Sequence, residues 1–248
     1  MSEMSFTEHL EDLRWTTIRV AIILIIAFGI AYFFSTEISE FLLHPLRENL
    51  KSQGMGGGEV VYYSILDKMM SQIQISFWTA ILVASPIWFY EIWKFIRPGL
   101  HAYEIKVIRP FLMIGLFLFW AGAAFGHFVA FPLTFKALMG VGVSDVKAMI
   151  GLKEYLLFVS QVIVVMGLIF QLPNLLLILG FMGIVTKYSL KKLRRYIYFG
   201  LAVFAAVVSP PDVITMLILW IPLILLFEVG LLAVALIVHP YLAKVHAS

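Results

Sequence analysis

Three acidic side chains lie in polar stretches that border long apolar segments of the chain. Glu11 and Asp12 precede the first apolar segment, and Glu104 lies between two later ones. Carboxylates pair especially well with guanidinium groups, because the planar fork of an arginine can donate two parallel hydrogen bonds to one carboxylate. The pattern predicts either a binding site for a cationic partner or local salt bridges with neighbouring basic residues such as Arg14.

Three further polar side chains lie inside apolar segments, where burial of a polar group is costly. Gln171 is a neutral amide, which either hydrogen-bonds between helices or has a functional role. Glu228 is flanked by apolar residues, so its carboxyl must lie near an interface, be protonated or be paired; alternatively it marks the end of a short sixth helix. His127 either hydrogen-bonds between helices, binds a metal or moves protons.

Catalytic motifs are missing from the sequence. It has no glycine-rich phosphate loop, no HExxH motif and no GxSxG motif, and its six histidines are scattered. The lack of cysteine excludes disulfides, thiolate metal sites and a cysteine nucleophile. We therefore predict a protein that is not an enzyme, with no cofactor and no metal site.

The composition is that of a membrane protein. Of the 248 residues, 62% are hydrophobic and only 13% are charged, and the mean hydropathy is +0.97. Soluble domains average about 45–50% apolar and about 25% charged residues. A water-soluble globule of this size has too little interior to bury so much apolar surface, so a soluble enzyme is excluded.

Six apolar segments position the polar residues. They predict an all-α polytopic membrane protein with one transmembrane domain over residues 1–248, since a bilayer core of about 30 Å requires about 20 helical residues. The fifth and sixth segments are short, and the Ser209-Pro210-Pro211-Asp212 turn between them predicts a hairpin of two short helices. The predicted spans cover residues 15–34, 69–90, 110–131, 155–179, 196–209 and 213–230.

Lys and Arg are distributed unequally between the two sides of this six-span arrangement. Twelve lie on the side of the N-terminus and six on the other side, and basic residues are enriched on the cytoplasmic side of membrane proteins. Both termini are therefore predicted to be cytoplasmic, together with residues 91–109 and 186–195. Residues 35–68, 132–154 and 209–212 are predicted to face outward, with an amphipathic surface helix from Glu37 to Leu50.

Short motifs along nearly the whole chain resemble those of TatC, the multi-spanning subunit of the twin-arginine protein translocase. The N-terminal stretch His9-Leu10-Glu11-Asp12-Leu13-Arg14 is similar to the family's HLxELR start. In family order, the further similar elements are His44-Pro45-Leu46, Lys94-Phe95-Ile96-Arg97-Pro98-Gly99-Leu100 with Glu104, Phe131-Pro132-Leu133, Phe170-Gln171-Leu172-Pro173, Ser209-Pro210-Pro211-Asp212, and Ile221-Pro222 with Leu226-Phe227-Glu228.

The resemblance implies a receptor subunit in a bacterial plasma membrane. It would bind the twin-arginine signal peptides of folded precursors and nucleate a translocation complex driven by the proton-motive force. The partners that it implies are the single-span subunits TatA and TatB, further copies of the chain and the lipid bilayer, but no nucleic acid. The implied signal-peptide residues are Glu11, Asp12, Arg14, Phe95 and Glu104, and the polar or docking residues are Pro45, Gln171, Asp212 and Glu228.

The chain departs from the family pattern at two positions. Gln171 stands where glutamate is common in the family, and it cannot titrate. Asp12 replaces the usual glutamate and is one methylene shorter, which leaves open whether Glu11 or Asp12 contacts the ligand. A secondary transporter of a small solute is the alternative function, although it would require convergent charges at the middle of the bilayer and a repeat symmetry that the sequence lacks.

Overall fold

The computed structural model of the protein describes residues 6–52, 59–96, 102–139, 149–209 and 212–240. Within these ranges lie ten α-helices, two π-helical turns and two short strands: α1 (Phe6–Phe33), α2 (Ser35–Ser52), β1 (Glu59–Val61), α3 (Ile65–Val83), α4 (Ser85–Ile96), α5 (Ala102–Phe125), a π-turn (Gly126–Ala130), α6 (Phe131–Met139), β2 (Met149–Gly151), α7 (Leu152–Ile169), α8 (Leu172–Phe181), α9 (Lys187–Val208), α10 (Val213–Ala233) and a second π-turn (Val234–Val238). The chain forms two compact units, one from residues 1–98 and 139–164, the other from residues 99–138 and 165–248.

Four helical stretches in the described part of the chain are long and apolar enough to cross a membrane. They are Leu10–Phe33, Pro110–Leu138, Leu152–Phe181 and Val213–Val238. A fifth candidate is the bent pair Ile65–Val83 and Ser85–Phe95, whose two helices meet at 56°. These five agree in position with the predicted spans at 15–34, 69–90, 110–131, 155–179 and 213–230.

The prediction that helices five and six are short is wrong. Helix α10 and its π-turn form one continuous helical stretch from Val213 to Val238, so the sixth segment continues well past Glu228. Helix α9 has 22 residues because it begins at Lys187, nine residues before the apolar part of the segment. Sequence hydropathy located the apolar half of α9 and missed its basic half, which has the same backbone conformation.

The first unit is held together by contacts between residues that are far apart in sequence. Helix α1 packs against α3 and α4, and α2 packs against α3. The buried Tyr155 hydroxyl donates a 2.9 Å hydrogen bond to the carbonyl of Leu42 in α2, and Lys153 pairs with Asp67 at 3.1 Å. Strands β1 and β2 pair in parallel. The prediction of an all-α chain therefore missed one small two-stranded sheet.

The bend between α3 and α4 has a local cause. Pro86 lacks a backbone N–H, so the i to i−4 hydrogen-bond ladder of a straight helix cannot continue through it. The indole Nε1 of Trp88 donates to the carbonyl of Ile81 at 2.9 Å, which satisfies an acceptor at the break. At the start of α3, Ser64 and Asp67 form a capping box.

The second unit is built on close helix crossings. Gly122 of α5 lies so near α7 that an added Cβ would be 2.5 Å from the carbonyl oxygen of Met166. A Cβ on Gly167 of α7 would be 2.9 Å from the ring of Phe119. Helix α10 packs against both α8 and α9. The small residues allow the backbones to approach closely, as is common in membrane helix pairs.

Capping residues set the ends of the helices in this unit. Gly183 ends α8 with a φ of 71°, and the N–H of Ile184 bonds back to the carbonyl of Leu179, the geometry of a Schellman cap. Thr186 and Ser189 form a capping box at the start of α9. Pro210 and Pro211 of the predicted turn lie outside the described residues.

Candidate functional site

An ion pair joins α1 to α4 inside the first unit. The Nε of Arg19 donates to a carboxylate oxygen of Glu91 at 2.7 Å, and an Nη of Arg19 donates to the hydroxyl of Thr16 at 3.1 Å. The Glu91 side chain is 12% exposed and the Arg19 side chain 40% exposed. The pair therefore fixes which sides of the two helices face each other.

The contact also determines where Asp12 lies. Asp12 precedes Arg19 by seven residues, which at 3.6 residues per turn places it about 20° from Arg19 around α1 and roughly 10 Å nearer the N-terminus. Thr16, buried between them, lies on the same side. Asp12 is half-buried and lies on the same side of α1 as Arg19, whose guanidinium reaches α4.

Phe95 belongs to the same arrangement. It follows Glu91 by four residues, so the two side chains share one side of α4, about one turn apart. Phe95 is half-buried. Asp12 therefore lies N-terminal to the ion pair on α1, and Phe95 lies C-terminal to it on α4.

The other three predicted signal-peptide residues are placed differently. Glu11 is exposed and lies about 80° from Arg19 around α1. Arg14 is also exposed, about 140° from Arg19. Glu104 lies in the first turn of α5, and its side chain is outside the described part of the structure.

Gln171 lies at the break between α7 and α8. Its backbone N–H bonds to the carbonyl of Leu168 in a tight turn, and Pro173 follows in the first turn of α8. The side-chain amide donates to the carbonyl of Gly115 in α5 at 2.8 Å. This bond joins α5 to the break between α7 and α8, which agrees with the predicted alternative that Gln171 hydrogen-bonds between helices.

Glu228 is paired within the α9–α10 hairpin. The Nε of Arg194 donates to its carboxylate at 2.7 Å, a second guanidinium nitrogen donates to the other carboxylate oxygen, and the Tyr198 hydroxyl also donates to it. The alternative that Glu228 marks the end of a short sixth helix is wrong, because α10 continues beyond it. The carboxylate instead bridges the two helices.

Asp212 and Pro45 have local structural roles. Asp212 is the N-cap of α10, where its carboxylate accepts hydrogen bonds from the backbone N–H groups of Ile214 and Thr215. Hydrogen bonding from Thr215 and from Ile214 holds the pKa of Asp212 below its ordinary value. Pro45 is half-buried inside α2. Asp212 and Glu228 are 16 residues apart on one helix, roughly 24 Å, so these predicted docking residues do not form one cluster.

The comparisons with known proteins agree on a single family. The family model described as Sec-independent protein translocase protein (TatC) matches residues 8–222 of the chain. The chain belongs to the TatC family. TatC of Desulforapulum autotrophicum is 34% identical over 228 residues, which cover 92% of this chain and 83% of that protein. TatC of Aquifex aeolicus is 32% identical over 230 residues, which cover 92% of this chain and 93% of that protein.

A solved structure shares the fold. A crystal structure of the twin arginine translocase receptor TatC matches this chain with a TM-score of 0.83 and 31% sequence identity, covering 92% of this chain and 99% of that one. The resemblance to TatC in the sequence is thus confirmed. The chain is a multi-pass membrane subunit of the Tat protein translocase of the bacterial plasma membrane, and not an enzyme.

Glu91, the partner of Arg19 in the first unit, is absent from the residues that were predicted from the sequence to be functional. A signal was present, since Arg19 lies inside a long apolar stretch where a guanidinium requires a partner. Glu91 directly follows the predicted span 69–90, four residues before Phe95. Pairing the two would have required knowing that α1 and α4 are neighbours. Tyr198 and Arg194, the partners of Glu228, were missed for the same reason.

Proposed function

We propose that this TatC-family chain is the subunit that binds the twin-arginine signal peptides of folded precursor proteins. The crystal structure that this chain resembles is that of a twin arginine translocase receptor. In this chain the acceptors would be the carboxylates of Asp12 and Glu104, one for each guanidinium of the arginine pair. Charge-assisted, bidentate hydrogen bonds would then select arginine over lysine.

The Arg19–Glu91 ion pair is the observation that carries the proposal. The pair holds α1 against α4. Asp12 lies about two turns from it along α1, and Phe95 lies about one turn from it along α4. The pair also shows that a guanidinium fits beside a carboxylate at this helix contact. The half-buried Phe95 would offer an apolar or cation–π surface to the incoming peptide.

The same geometry favours Asp12 over Glu11 as the ligand contact. Asp12 shares its side of α1 with Thr16 and Arg19, both of which are in contact with each other and turned toward α4. Glu11 is exposed on a different side of the helix. The shorter aspartate is compatible with this role, because Asp12 is half-buried on the side of α1 that bears Arg19.

The topology that accompanies this function has six spans with both termini in the cytoplasm. Helix α9 would be the fifth span, with its basic first half at the cytoplasmic surface, and the twelve-to-six distribution of Lys and Arg supports this orientation. Cysteine-accessibility labelling tests it. A cysteine at Ser189 should react with an impermeant reagent only from the cytoplasmic side, and labelling from outside alone would disprove the orientation.

The partners of this receptor would be the single-span subunits TatA and TatB and further copies of the chain, with transport driven by the proton-motive force. Membership in the TatC family supports a multi-subunit translocase. Gln171, which lies at a helix break, is a candidate contact for such a partner. Co-purification of TatA and TatB with the parent and the Gln171→Leu variant would test that contact.

Site-specific cross-linking of a twin-arginine peptide to the membrane-embedded chain tests the receptor role. A twin-lysine peptide is the ligand control. Asp12→Asn and Glu104→Lys should each lower capture by more than tenfold, since loss of one partner of a buried, hydrogen-bonded charge pair typically costs about 2–5 kcal/mol.

Matched variants separate the site from general charge effects. Glu11→Gln tests the choice between the two adjacent carboxylates, and Glu40→Gln removes an exposed carboxylate of α2. Both should bind the peptide like the parent. Equal capture of both peptides by the parent, or parental capture by Glu104→Lys, would contradict the proposed function.

A further inference from the structure

The basic half of α9 has more positive charge than its neighbours neutralise. Between Lys187 and Arg195 there are five Lys or Arg residues, and α9 contains no Asp or Glu. Within the described part of the chain, Glu228 is the carboxylate that pairs with this group, and it binds only Arg194. Four positive charges within nine residues are left without an acidic partner in the described structure.

Three of these cations share one side of the helix with exposed apolar residues. At 3.6 residues per turn, the residues of this side fall within an arc of about 120°. We call it the basic face; it consists of Tyr188, Lys191, Lys192, Arg195, Phe199 and Val203, all of which are exposed. From Arg195 to Val203 the face extends roughly 12 Å along the helix.

The basic face lies beside the side of α9 that contacts the partner helix. Arg194 and Tyr198, which both donate to Glu228 of α10, lie about 120° and 80° from the centre of the face around the helix. The buried Leu190 lies about 160° from that centre and the buried Ala205 about 100°. All six residues of the face are exposed within the described part of the chain, and in the proposed topology the apolar end of the face would lie beside membrane.

Tyrosine rings lie against cations at both ends of the basic half of α9. The Arg195 guanidinium lies 4.8 Å from the ring centroid of Tyr196 and also donates to its hydroxyl at 3.1 Å. Lys187 lies 5.0 Å from the ring centroid of Tyr188. Tyrosine is enriched at the level of lipid headgroups, where one end of the side chain is apolar and the other wet. This places Lys191, Lys192 and Arg195 at headgroup depth.

We propose that the basic face of α9 is a binding site for an anionic phospholipid. The phosphate diester would lie against Lys191, Lys192 and Arg195, and the acyl chains would follow Phe199 and Val203. Charge complementarity favours an anionic over a zwitterionic headgroup, since each basic residue near an anionic surface contributes attraction that high salt screens. The site is independent of the signal-peptide residues, none of which lies on α9.

Native mass spectrometry of the detergent-purified chain tests the site, with phosphatidylglycerol and phosphatidylcholine as probes. The parent should retain phosphatidylglycerol in preference to phosphatidylcholine. The triple variant Lys191→Gln, Lys192→Gln, Arg195→Gln should lose this preference. The expected loss of affinity is about fivefold for each charge removed, from about 1 kcal/mol per basic residue near the surface, and added salt should weaken binding to the parent.

A matched triple variant controls for total charge. Arg47→Gln, Lys68→Gln, Lys136→Gln removes three exposed basic residues from other helices and should retain parental binding. Lys191→Arg with Lys192→Arg keeps the charge and should also bind, which shows that the positive charge, and not the lysine side chain itself, is required. Helix content by circular dichroism should be the same in all variants.

Four results would overturn the proposal. One is equal retention of both lipids by the parent, and another is an equal loss of binding in the control triple. The third is displacement of the lipid by inorganic phosphate, which would show that the cations of the basic face bind a soluble anion rather than a lipid. If the glutamine triple loses a co-purifying protein but keeps its lipid preference, the face is a protein contact and the lipid proposal is wrong.

Discussion

The Arg19–Glu91 ion pair provides the sharpest test of how the first unit is held together. We predict that Arg19→Gln and Glu91→Gln will each destabilise the protein, and that the double variant will recover most of the loss. In each single variant one charge stays at the helix contact without its partner. In the double variant, two neutral amides can hydrogen-bond across the same contact.

The exposure of the two side chains limits the size of the effect. Exposed ion pairs contribute about 0.2–1 kcal/mol, whereas removing one partner of a fully buried pair costs about 3–5 kcal/mol. Glu91 is 12% exposed and Arg19 is 40% exposed, so this pair lies between those limits. We expect a loss of about 1–2 kcal/mol for each single variant and a coupling energy of about 1.5–3 kcal/mol, so that the double variant loses less than either single variant.

The assay is a double-mutant cycle read in two ways. Thermal unfolding of the detergent-purified variants measures stability, and capture of a twin-arginine peptide measures the site. If the pair positions Asp12 beside Phe95, both quantities should fall in the single variants and recover together in the double variant. Arg47→Gln and Glu40→Gln remove exposed charges of the same types and should change neither.

Additive single effects, with a coupling energy below about 0.3 kcal/mol, would refute the reasoning, because independent sites behave in this way. Recovery of stability without recovery of peptide capture would show that the pair stabilises the fold but does not position the site. Either result is distinguishable from failure of the receptor function, in which the parent itself would not prefer the twin-arginine peptide.

Three further predictions follow from the second unit. Gly122→Ala should destabilise the protein by about 1–3 kcal/mol through overpacking, since the added Cβ would lie 2.5 Å from the carbonyl oxygen of Met166. Gly200→Ala should be neutral or stabilising, because nothing lies within 4 Å of its added Cβ. Thermal unfolding compares the two variants, and equal effects would contradict the close crossing of α5 and α7. Gln171→Leu should lower the melting temperature by removing a hydrogen bond worth about 1 kcal/mol to α5, and an unchanged melting temperature would show that this bond is dispensable. The pKa of Asp212 is lower in the folded protein than in the unfolded chain. Its carboxylate therefore stabilises the protein at pH values above the unfolded pKa, and this contribution is lost as the pH falls through the folded pKa. Asp212→Asn should flatten the acid limb of a stability–pH curve, and an unchanged curve would refute the contribution of the cap.

The character of the protein and the position of most helices could be predicted from the sequence. Apolar runs of about 20 residues identify spans because a helix in lipid satisfies its backbone internally. The spacing of Ile38, Phe41, Leu42 and Leu46 predicted a helix that the structure shows as α2. These are local properties, which depend on residues within one or two turns of each other.

The tertiary structure alone decided which polar groups meet. Glu91 is 72 residues from Arg19, Glu228 is 34 residues from Arg194, and the amide of Gln171 reaches a carbonyl 56 residues earlier in the chain. Hydropathy and spacing contain no information about which helices become neighbours. The predicted length of α10 was also wrong. Glu228 looks like the end of a span as long as its guanidinium partner, Arg194, is unknown. A charge can remain in the middle of a long apolar helix when another helix supplies the opposite charge, and that depends on how the helices pack.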